Sequence, residues 1–391
     1  MTSSGGPVDT PKVTRASVAP ISSGRVIGGK FEVTGVLGEG GTGIVYEAKQ
    51  IGKEEDPIAL KVIHAHLLYD KQIRGRFTRE AKILSRLSGP HLGAIVDFGE
   101  VPDPHGEGAS LLYIALPKIV GPALDQLLRE EGPLPIDRAI DIALQVCAAL
   151  ASAHAQGVIH RDLKPANVIL RDGIEVFVVD FGMAKILTGG GTGTTGLTAH
   201  NMVFGTPEYM APEQARGDEL DARCDVYAVG VMLYELLTGN VPFTGNTPLN
   251  VLTAQLTQEP ERPRTRAPER AITPALEAVV MHALTKDPTD RYATAAALAL
   301  AIAQARSAPD DLDAVKPARA IAGASGAVAM MRVSDDMVHA VTMPAPEPKR
   351  ESGSTRITLD PPRQLPKGVW YAMWTVIIIA AAAVGVWLAM R

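Results

Sequence analysis

HRDLKPAN at residues 160–167 and VFVVDFG at residues 176–182 are the two stretches that decide the fold of this chain. The first places three chemically distinct side chains on one short loop: Asp162 can act as a base, Lys164 as a cation and Asn167 as a metal ligand. The second is an apolar run typical of a buried strand, followed by an aspartate. Phosphoryl transfer asks for little covalent chemistry from a protein, because positioning and charge neutralisation by Mg²⁺ and cations dominate the catalysis. The two stretches therefore indicate phosphoryl transfer.

A glycine cluster, LGEGGTGIV, lies upstream at residues 37–45. Glycine lets backbone amides come close to phosphate oxygens because it carries no Cβ atom. The same spacing opens dinucleotide-binding folds, but there a helix follows the turn, whereas Ile44 and Val45 begin a strand-like apolar stretch. A near match to the Walker A motif at residues 24–30 is excluded, because Phe31 occupies the position where Ser or Thr must bind Mg²⁺. The cluster therefore predicts a phosphate-binding loop between two strands.

Lys61 is the one charged residue of the predicted strand Ile58–Val62. The predicted helix Asp70–Ser88 places Glu80 on the same face as its apolar residues. A carboxylate in apolar surroundings needs a cation, or it takes up a proton. A solvated edge position is the common alternative for an isolated lysine, but an ion pair explains both residues. We therefore predict that Lys61 and Glu80 form a pair.

Two long helices are predicted in the second half of the chain. Ile136–Gln156 is amphipathic and is followed by Gly157, a residue suited to the end of a helix. Val226–Leu237 is apolar nearly all round, which predicts a helix buried at the centre of the domain. Because strands come first and helices later, the sequence predicts an α+β domain with two lobes.

Composition divides the 391-residue chain into zones. Residues 1–28 are rich in Ser, Thr, Gly and Pro, have no signal-peptide pattern and are predicted to be disordered. Residues 29–305 carry the apolar periodicity and every motif above. Residues 306–366 are rich in Ala, Pro, Ser and charge, which predicts a flexible linker. The net charge of −5 gives no basic excess, so nucleic acid is not an expected partner.

Residues 369–390 form an uncharged apolar run of 22 residues. As a helix the run would be about 33 Å long, at about 1.5 Å per residue, which matches the roughly 30 Å hydrocarbon core of a bilayer. The aromatic residues near its two ends are Trp370, Tyr371, Trp374 and Trp387. Basic residues precede the run and only Arg391 follows it, which predicts a single-pass protein of the cell (inner) membrane with its catalytic domain in the cytoplasm. A buried core helix is the alternative.

With these motifs in order, residues 31 to about 300 resemble the protein kinase domain of the eukaryotic-like (Hanks-type) Ser/Thr kinases of bacteria. The resemblance implies the two-lobed protein kinase fold, with a β-sheet and one helix in the N-lobe and a helical C-lobe. It also implies ATP and Mg²⁺ as cofactors and Ser or Thr residues of proteins as substrates. A lysine at the position of Lys164 is typical of the catalytic loop of Ser/Thr kinases.

The resemblance assigns a role to each motif. Asp162 would accept the proton of the substrate hydroxyl, Lys164 would support the γ-phosphate, and Lys61 would hold the α- and β-phosphates. Asn167 and Asp180 would hold Mg²⁺. The implied catalytic residues are Asp162, Lys164, Asn167, Lys61 and Glu80. The implied nucleotide-binding residues are Leu37, Gly38, Glu39, Gly40, Gly41, Thr42, Gly43, Ile44, Val45, Lys61, Leu116, Pro117 and Ile119.

The segment between the lobes departs from the family pattern. Such kinases usually place an acidic residue after the gatekeeper, whereas here Leu116 is followed by Pro117, Lys118 and Ile119. The adenine amino group needs only a carbonyl from the first hinge residue, and proline keeps its C=O. The amide of Ile119 can still donate, so nucleotide binding is expected to survive.

Residues 205–213, GTPEYMAPE, resemble the segment on which kinases dock a peptide substrate. By the same resemblance Glu213 would pair with Arg291, and Asp225 would anchor the central helix to the catalytic loop. Thr206, beside Pro207, is expected to make a structural contact with Asp162 and Lys164 of that loop.

The Gly- and Thr-rich segment 185–200 is expected to have no stable secondary structure. In kinases of this kind the arginine before the catalytic aspartate, here Arg161, binds a phosphate on this loop, and a phosphothreonine brings about −1.5 to −2 charges. Thr198 is the best candidate, and an inert loop is the alternative. The expected regulatory residues are Arg161, Thr194, Thr195, Thr198 and Thr206. Two tethered copies could phosphorylate each other, so a homodimer is an expected partner state.

Two other functions fit parts of the pattern. A pseudokinase scaffold would bind partners without catalysis, but such proteins usually lose the equivalents of Lys61, Asp162 or Asp180, and all three are present. A small-molecule phosphotransferase would not need a peptide-docking segment. A second D-F-G, at residues 97–99, precedes the catalytic loop and is predicted to belong to an ordinary surface strand.

Overall fold

The computed structural model describes residues 21–40, 43–64, 71–102, 110–182 and 206–316. All of them lie in the first of the two units into which the chain divides, Met1–Ala322 and Gly323–Arg391. This part of the chain forms a small lobe built on an antiparallel sheet and a larger helical lobe. The α+β, two-lobed architecture predicted from the order of strands and helices is confirmed.

A six-stranded antiparallel sheet forms the small lobe, in the order β1-β2-β3-β4-β6-β5. Its strands are β1 (Val26–Ile27), β2 (Phe31–Gly40), β3 (Gly43–Gln50), β4 (Lys53–Ile63), β5 (Asp97–Val101) and β6 (Leu111–Pro117). Successive side chains of a strand point to opposite faces, so residues two apart share a face. Phe31 and Val33 of β2 are buried in this way, and so are Tyr46 and Ala48 of β3. The alternation in the sequence therefore supplies the core of this lobe.

Helix α1 (Lys71–Leu84) is the one helix described in the small lobe. Phe77 and Leu84 are buried, and the side chain of Glu80 on the same side is 12% exposed. Phe77 meets Phe98 of β5 edge to face, with ring centroids 6.4 Å apart. The predicted helix and its inward carboxylate are confirmed.

The larger lobe is mainly helical. Its described helices are α2 (Leu124–Glu131), α3 (Ile136–Ala155), α4 (Pro212–Arg216), α5 (Arg223–Thr238), α6 (Pro248–Thr257), α7 (Pro263–Arg266), α8 (Pro274–Ala283) and α9 (Ala295–Ser307). A hairpin of β7 (Val168–Arg171) and β8 (Glu175–Val178) connects the two catalytic motifs. Strand β7 begins directly after Asn167, and β8 ends two residues before Asp180. Fourteen of the sixteen residues of α5 are buried, which confirms it as the central helix.

The folded domain extends beyond the predicted limits at both ends. Ile21 is buried, and its backbone N–H donates to the hydroxyl of Tyr46 at 3.0 Å. Residues 21–28 therefore belong to the small lobe and not to a disordered lead-in. At the other end Val315 is buried, and its carbonyl accepts a hydrogen bond from Tyr292 at 2.7 Å. Single apolar residues in polar stretches show no periodicity, so neither contact could be predicted from the sequence.

None of the helices in the described ranges is both long and apolar enough to cross a membrane. The apolar run 369–390 lies outside the described residues, as do residues 1–20 and the predicted linker from residue 317 onward.

Candidate active site

The glycine-rich turn connects β2 to β3 as a hairpin. A Cβ atom added at Gly38 or Gly40 would meet nothing within 4 Å, so the space beside these residues is open to a ligand. At Gly43 a Cβ would lie 2.1 Å from the carbonyl oxygen of Val62, so only glycine lets β3 approach β4 this closely. The other predicted residues on these two strands are Leu37, Glu39, Ile44 and Val45. The prediction that paired strands lie on both sides of the glycine cluster is confirmed.

The hinge between the lobes stays attached to the sheet in spite of its proline. Leu116 and Pro117 end β6 and pair with β4. The amide of Lys118 donates to β4 at 2.7 Å, and its ammonium lies 2.5 Å from the carboxylate of Glu47 on β3. Ile119 follows as a half-buried residue. Lys118 therefore anchors the segment that the resemblance assigns to the adenine.

Lys61 forms its ion pair with Asp180 and not with Glu80. The Nζ–Oδ2 distance is 2.5 Å, and the lysine side chain is 9% exposed. Glu80 lies 3.6 Å from Arg79 instead. Two carboxylates compete for one ammonium, and the one that follows β8 reaches it, so the predicted Lys61–Glu80 pair is wrong for this structure. The observed pair brings a cation of the small lobe and an aspartate of the large lobe to one cleft.

The catalytic loop brings Asp162, Lys164 and Asn167 together. The Lys164 ammonium lies 3.2 Å from a carboxylate oxygen of Asp162 and donates to the hydroxyl of Thr206 at 2.9 Å. The amide nitrogen of Asn167 donates to the carbonyl of Asp162 at 2.8 Å, so Oδ1 is the atom of Asn167 that a metal would bind. The Asp162 side chain is 32% exposed, which leaves its carboxylate accessible to a hydroxyl. The predicted contact of Thr206 with Lys164 is confirmed, whereas the predicted contact with Asp162 is not among the hydrogen bonds of the described residues.

Asp225, in the first turn of α5, holds the backbone of the catalytic loop. Its carboxylate accepts from the N–H of His160 at 2.8 Å and from the N–H of Arg161 at 2.9 Å. The ring of His154 lies 2.8 Å from the same carboxylate. Burial alone would raise the pKa of Asp225, but its hydrogen bonds, led by that of His154, outweigh burial and hold the pKa below its ordinary value. The predicted anchor is confirmed, and it is ionised.

His160 and His154 have structural roles that the sequence did not predict. The His160 ring lies 2.9 Å from the carbonyl oxygen of Val179 and packs on Phe181, with ring centroids 4.7 Å apart. His160 therefore joins the catalytic loop to the segment that carries Asp180. The place of His160 beside the catalytic residues was the only signal for it, and nothing in the sequence pointed to His154.

Two residues of the site have left-handed backbones. Arg161 has φ of 68° and Asp180 has φ of 62°. Such conformations cost about 1–3 kcal/mol in residues with a Cβ atom and cluster at functional sites. The Nε atom of Arg161 is buried and has no hydrogen-bond partner among the described residues. A buried guanidinium N–H in this state calls for an acceptor.

Glu213, the last residue of the docking segment, forms a fully buried ion pair with Arg291. Two N–O distances are 2.7 Å, and the side chains are 4% and 0% exposed. This bidentate geometry confirms the predicted pair. The second D-F-G lies on β5, where Asp97 pairs with Lys30 at 2.8 Å and accepts from Tyr113 at 3.3 Å. Asp97 is thus tied to the edge of the sheet.

Some predicted site residues cannot be placed. Those outside the described residues are Gly41, Thr42, Thr194, Thr195 and Thr198.

The fold and the cleft define the class of protein. One lobe carries a glycine-rich hairpin with open space beside Gly38 and Gly40, the other carries a loop with a base, a cation and an amide, and the ion pair of Lys61 and Asp180 joins the two lobes. This is the arrangement of a kinase-fold phosphotransferase.

Comparison with known proteins agrees with this class. The family described as protein kinase domain matches residues 31–301. The Ser/Thr-protein kinase pkn3 of Myxococcus xanthus is 44% identical over 278 residues, which cover 70% of this chain and 49% of that protein. PknB of Mycolicibacterium smegmatis is 40% identical over 267 residues, 68% of this chain and 41% of that protein. The chain belongs to the protein kinase family, among the bacterial Hanks-type Ser/Thr kinases.

A solved structure shows the same fold. The crystal structure of Rad53 1–466 in complex with AMP-PNP matches with a TM-score of 0.55 at 24% identity, over 69% of this chain and 64% of that one. The chain spans about half, or less, of the length of the curated relatives named above.

Proposed function

We propose that this chain is an active protein Ser/Thr kinase that transfers the γ-phosphate of Mg-ATP to Ser or Thr residues of proteins. The observation that carries the proposal is the 2.5 Å contact between Lys61 and Asp180. It puts the phosphate-binding cation and the metal ligand implied by the family on one cleft, beside the loop of Asp162. All three residues are present and an ion pair joins two of them, so nothing favours a pseudokinase.

The donor atoms of the cleft fit Mg²⁺ and ATP. Asp180 and Oδ1 of Asn167 are oxygen ligands of the kind that Mg²⁺ prefers, and bound Mg²⁺ would neutralise charge on the phosphates. Lys61 would exchange Asp180 for the α- and β-phosphates, and Lys164 would neutralise the γ-phosphate. Asp162 would take the proton of the substrate hydroxyl. The hydroxyl oxygen would then bond to the γ-phosphorus, while the bond between the γ-phosphorus and the leaving oxygen of ADP breaks.

Substitution of the two aspartates tests this activity. We expect Asp162→Asn and Asp180→Asn to lower Mg-ATP-dependent transfer to a Ser/Thr protein substrate by about 100-fold or more, because each removes a charge that acts on the reacting groups. The matched control is Asp97→Asn, in the other D-F-G, which should keep nearly full activity. Radiolabelled transfer assays would refute the assignment if Asp97→Asn were inactive and Asp180→Asn active.

We also propose that phosphorylation of its own loop activates the kinase. The buried Nε of Arg161, which has no hydrogen-bond partner among the described residues, supports this, because a phosphothreonine would supply an acceptor with a negative charge. Thr198 is the first candidate, with Thr194 and Thr195 as alternatives.

Loop variants test the switch. The triple change of Thr194, Thr195 and Thr198 to Ala should lower activity on an added substrate several-fold, and Arg161→Ala should lower it by a similar factor. Combining the two should lower activity no further, because both changes remove the same interaction. Mass spectrometry of the active kinase should find phosphate on the loop. Full activity in the triple variant would contradict the proposal.

We propose that residues 369–390 tether the kinase to the cell membrane, with the catalytic domain in the cytoplasm. The apolar length of the run and the basic residues before it support this orientation. A flexible linker over residues 317–366, which follow the last described residue, would have an r.m.s. span of roughly 39 Å. Two tethered copies could then meet, which supports phosphorylation in trans within a homodimer.

A further inference from the structure

Gln255 of α6 is fully buried against the docking segment. Its side-chain nitrogen donates to the carbonyl oxygen of Glu208 at 2.6 Å and lies 3.3 Å from that of Pro207. Its side-chain oxygen accepts a hydrogen bond from the hydroxyl of Tyr227 on α5. One amide thus connects two helices of the lobe to the backbone of the segment.

The orientation of this amide is set by its neighbours. The Tyr227 ring packs under the guanidinium of Arg291, 4.8 Å from the ring centroid. Burial raises the pKa of Tyr227, so its hydroxyl stays protonated and donates. Gln255 must then present its oxygen to Tyr227 and its nitrogen to the two carbonyls, which can only accept.

The backbone that Gln255 holds directly follows Thr206, the residue that contacts the catalytic loop. Thr206 directly precedes these two carbonyls, and its hydroxyl accepts from Lys164 at 2.9 Å. Lys164 in turn lies 3.2 Å from Asp162. The position of residues 207–208 relative to the catalytic carboxylate is therefore fixed from one side by Lys164 and from the other by Gln255.

We propose that Gln255 is a positioning residue for the protein substrate. By holding the carbonyls of Pro207 and Glu208, it keeps the docking segment in the position, relative to Asp162, in which a bound substrate chain presents its hydroxyl to that carboxylate. Among the described residues, the side chain of Gln255 makes its hydrogen bonds with Tyr227, Pro207 and Glu208, so its effect should fall on the protein substrate and not on ATP. This inference rests on the proposed kinase activity.

Steady-state kinetics of the full chain with a Ser/Thr peptide and Mg-ATP tests the proposal. Gln255→Leu removes both hydrogen-bonding ends and should raise KM for the peptide about tenfold, as expected for the loss of one or two hydrogen bonds. KM for ATP should stay within about twofold. Gln255→His, which keeps one donor and one acceptor, should restore most of the peptide KM.

Two further variants control for packing. Tyr227→Phe should raise the peptide KM by itself, and it should add little to Gln255→Leu, because the two residues act through one contact. Gln258→Leu, an exposed glutamine just after α6, should change neither constant. If Gln255→Leu does not fold, Tyr227→Phe still carries the test.

The outcomes separate the two proposals. An inactive parent chain would refute the kinase activity itself. An active parent with an unchanged peptide KM in Gln255→Leu, or in Tyr227→Phe if the former does not fold, would overturn the role of Gln255. Equal increases in both KM values would also overturn it, because they would indicate a general loss of structure.

Discussion

Lys61 determines which charged groups of the cleft can act. In active protein kinases the lysine at this position pairs with a glutamate of the small-lobe helix, while the aspartate that corresponds to Asp180 binds Mg²⁺. In the structure one 2.5 Å contact occupies both Lys61 and Asp180. In the proposed mechanism, binding of Mg-ATP would separate them, and Glu80, whose side chain is 12% exposed, is the carboxylate that Lys61 would then meet.

Lys286 is a second cation in an unusual setting. Its Nζ is buried, has no hydrogen-bond partner among the described residues and lies 4.2 Å from the ring centroid of Phe243. Burial lowers the pKa of Lys286 from 10.5 to about 8, with Glu259 opposing the shift and Arg291 adding to it. The folded state thus loses this proton at a lower pH than the unfolded chain. The free energy of unfolding must rise with pH between about 8 and 10.5 on account of this group.

A methionine in place of Lys286 should reveal this dependence. We expect Lys286→Met to be more stable than the parent by roughly 1 kcal/mol at pH 7, because it removes a buried charge, and to lose that advantage by pH 10. Urea denaturation should be followed by circular dichroism. Lys316→Met, at a lysine whose side chain is 70% exposed, is the control and should show little gap at either pH. A gap that stays constant with pH would contradict the assignment.

The sequence predicts single residues well where several chemical types recur at fixed spacing. Asp162, Lys164 and Asn167 were assigned in this way and lie on one loop. The partner of Lys61 was not predictable, because two carboxylates offer the same chemistry and only the three-dimensional distance separates them. Gln255 was missed for a similar reason, since a glutamine on a helix carries no pattern that reveals its burial.

At the scale of elements, α5 organises the larger lobe. Its first turn holds the catalytic loop through Asp225, and its Tyr227 supports the docking segment through Gln255. The central position of α5 could be predicted because its sequence is apolar on all sides. A half-buried helix would have one polar face. The ends of the domain were less predictable, because β1 is two residues long and has no period to detect.

The ion pair between α4 and the segment after α8 should be a main stabilising contact. Removing Arg291 leaves Glu213 buried without its partner, so Arg291→Met should destabilise the protein by roughly 3–5 kcal/mol. Arg306 pairs with Asp137 and Asp141, but its side chain is 39% exposed. Arg306→Met should therefore cost about 0–1 kcal/mol. Urea denaturation of both variants provides the comparison, and equal losses would argue against the burial of the first pair.

At the scale of the whole molecule, the chain has two spectroscopically separate parts. Its three tryptophans, Trp370, Trp374 and Trp387, all lie in the apolar run. Tryptophan fluorescence therefore reports only on residues 369–390, whereas circular dichroism is dominated by the kinase domain. The proposed tether and the proposed enzyme can be tested independently in one sample.

The tether predicts where those tryptophans lie. With the purified chain reconstituted in vesicles, brominated lipid should quench most of the tryptophan emission, because aromatic residues at both ends of a spanning helix contact the lipid. Ile378→Lys should reduce the quenching, since a charge near the middle of a spanning helix costs about 2.5–3.5 kcal/mol. For orientation, protease added outside intact spheroplasts should spare the kinase domain, because the basic residues before the run belong on the cytoplasmic side. Unquenched tryptophans in a chain that stays with the soluble fraction would refute the tether, and external digestion of the kinase domain would refute its orientation.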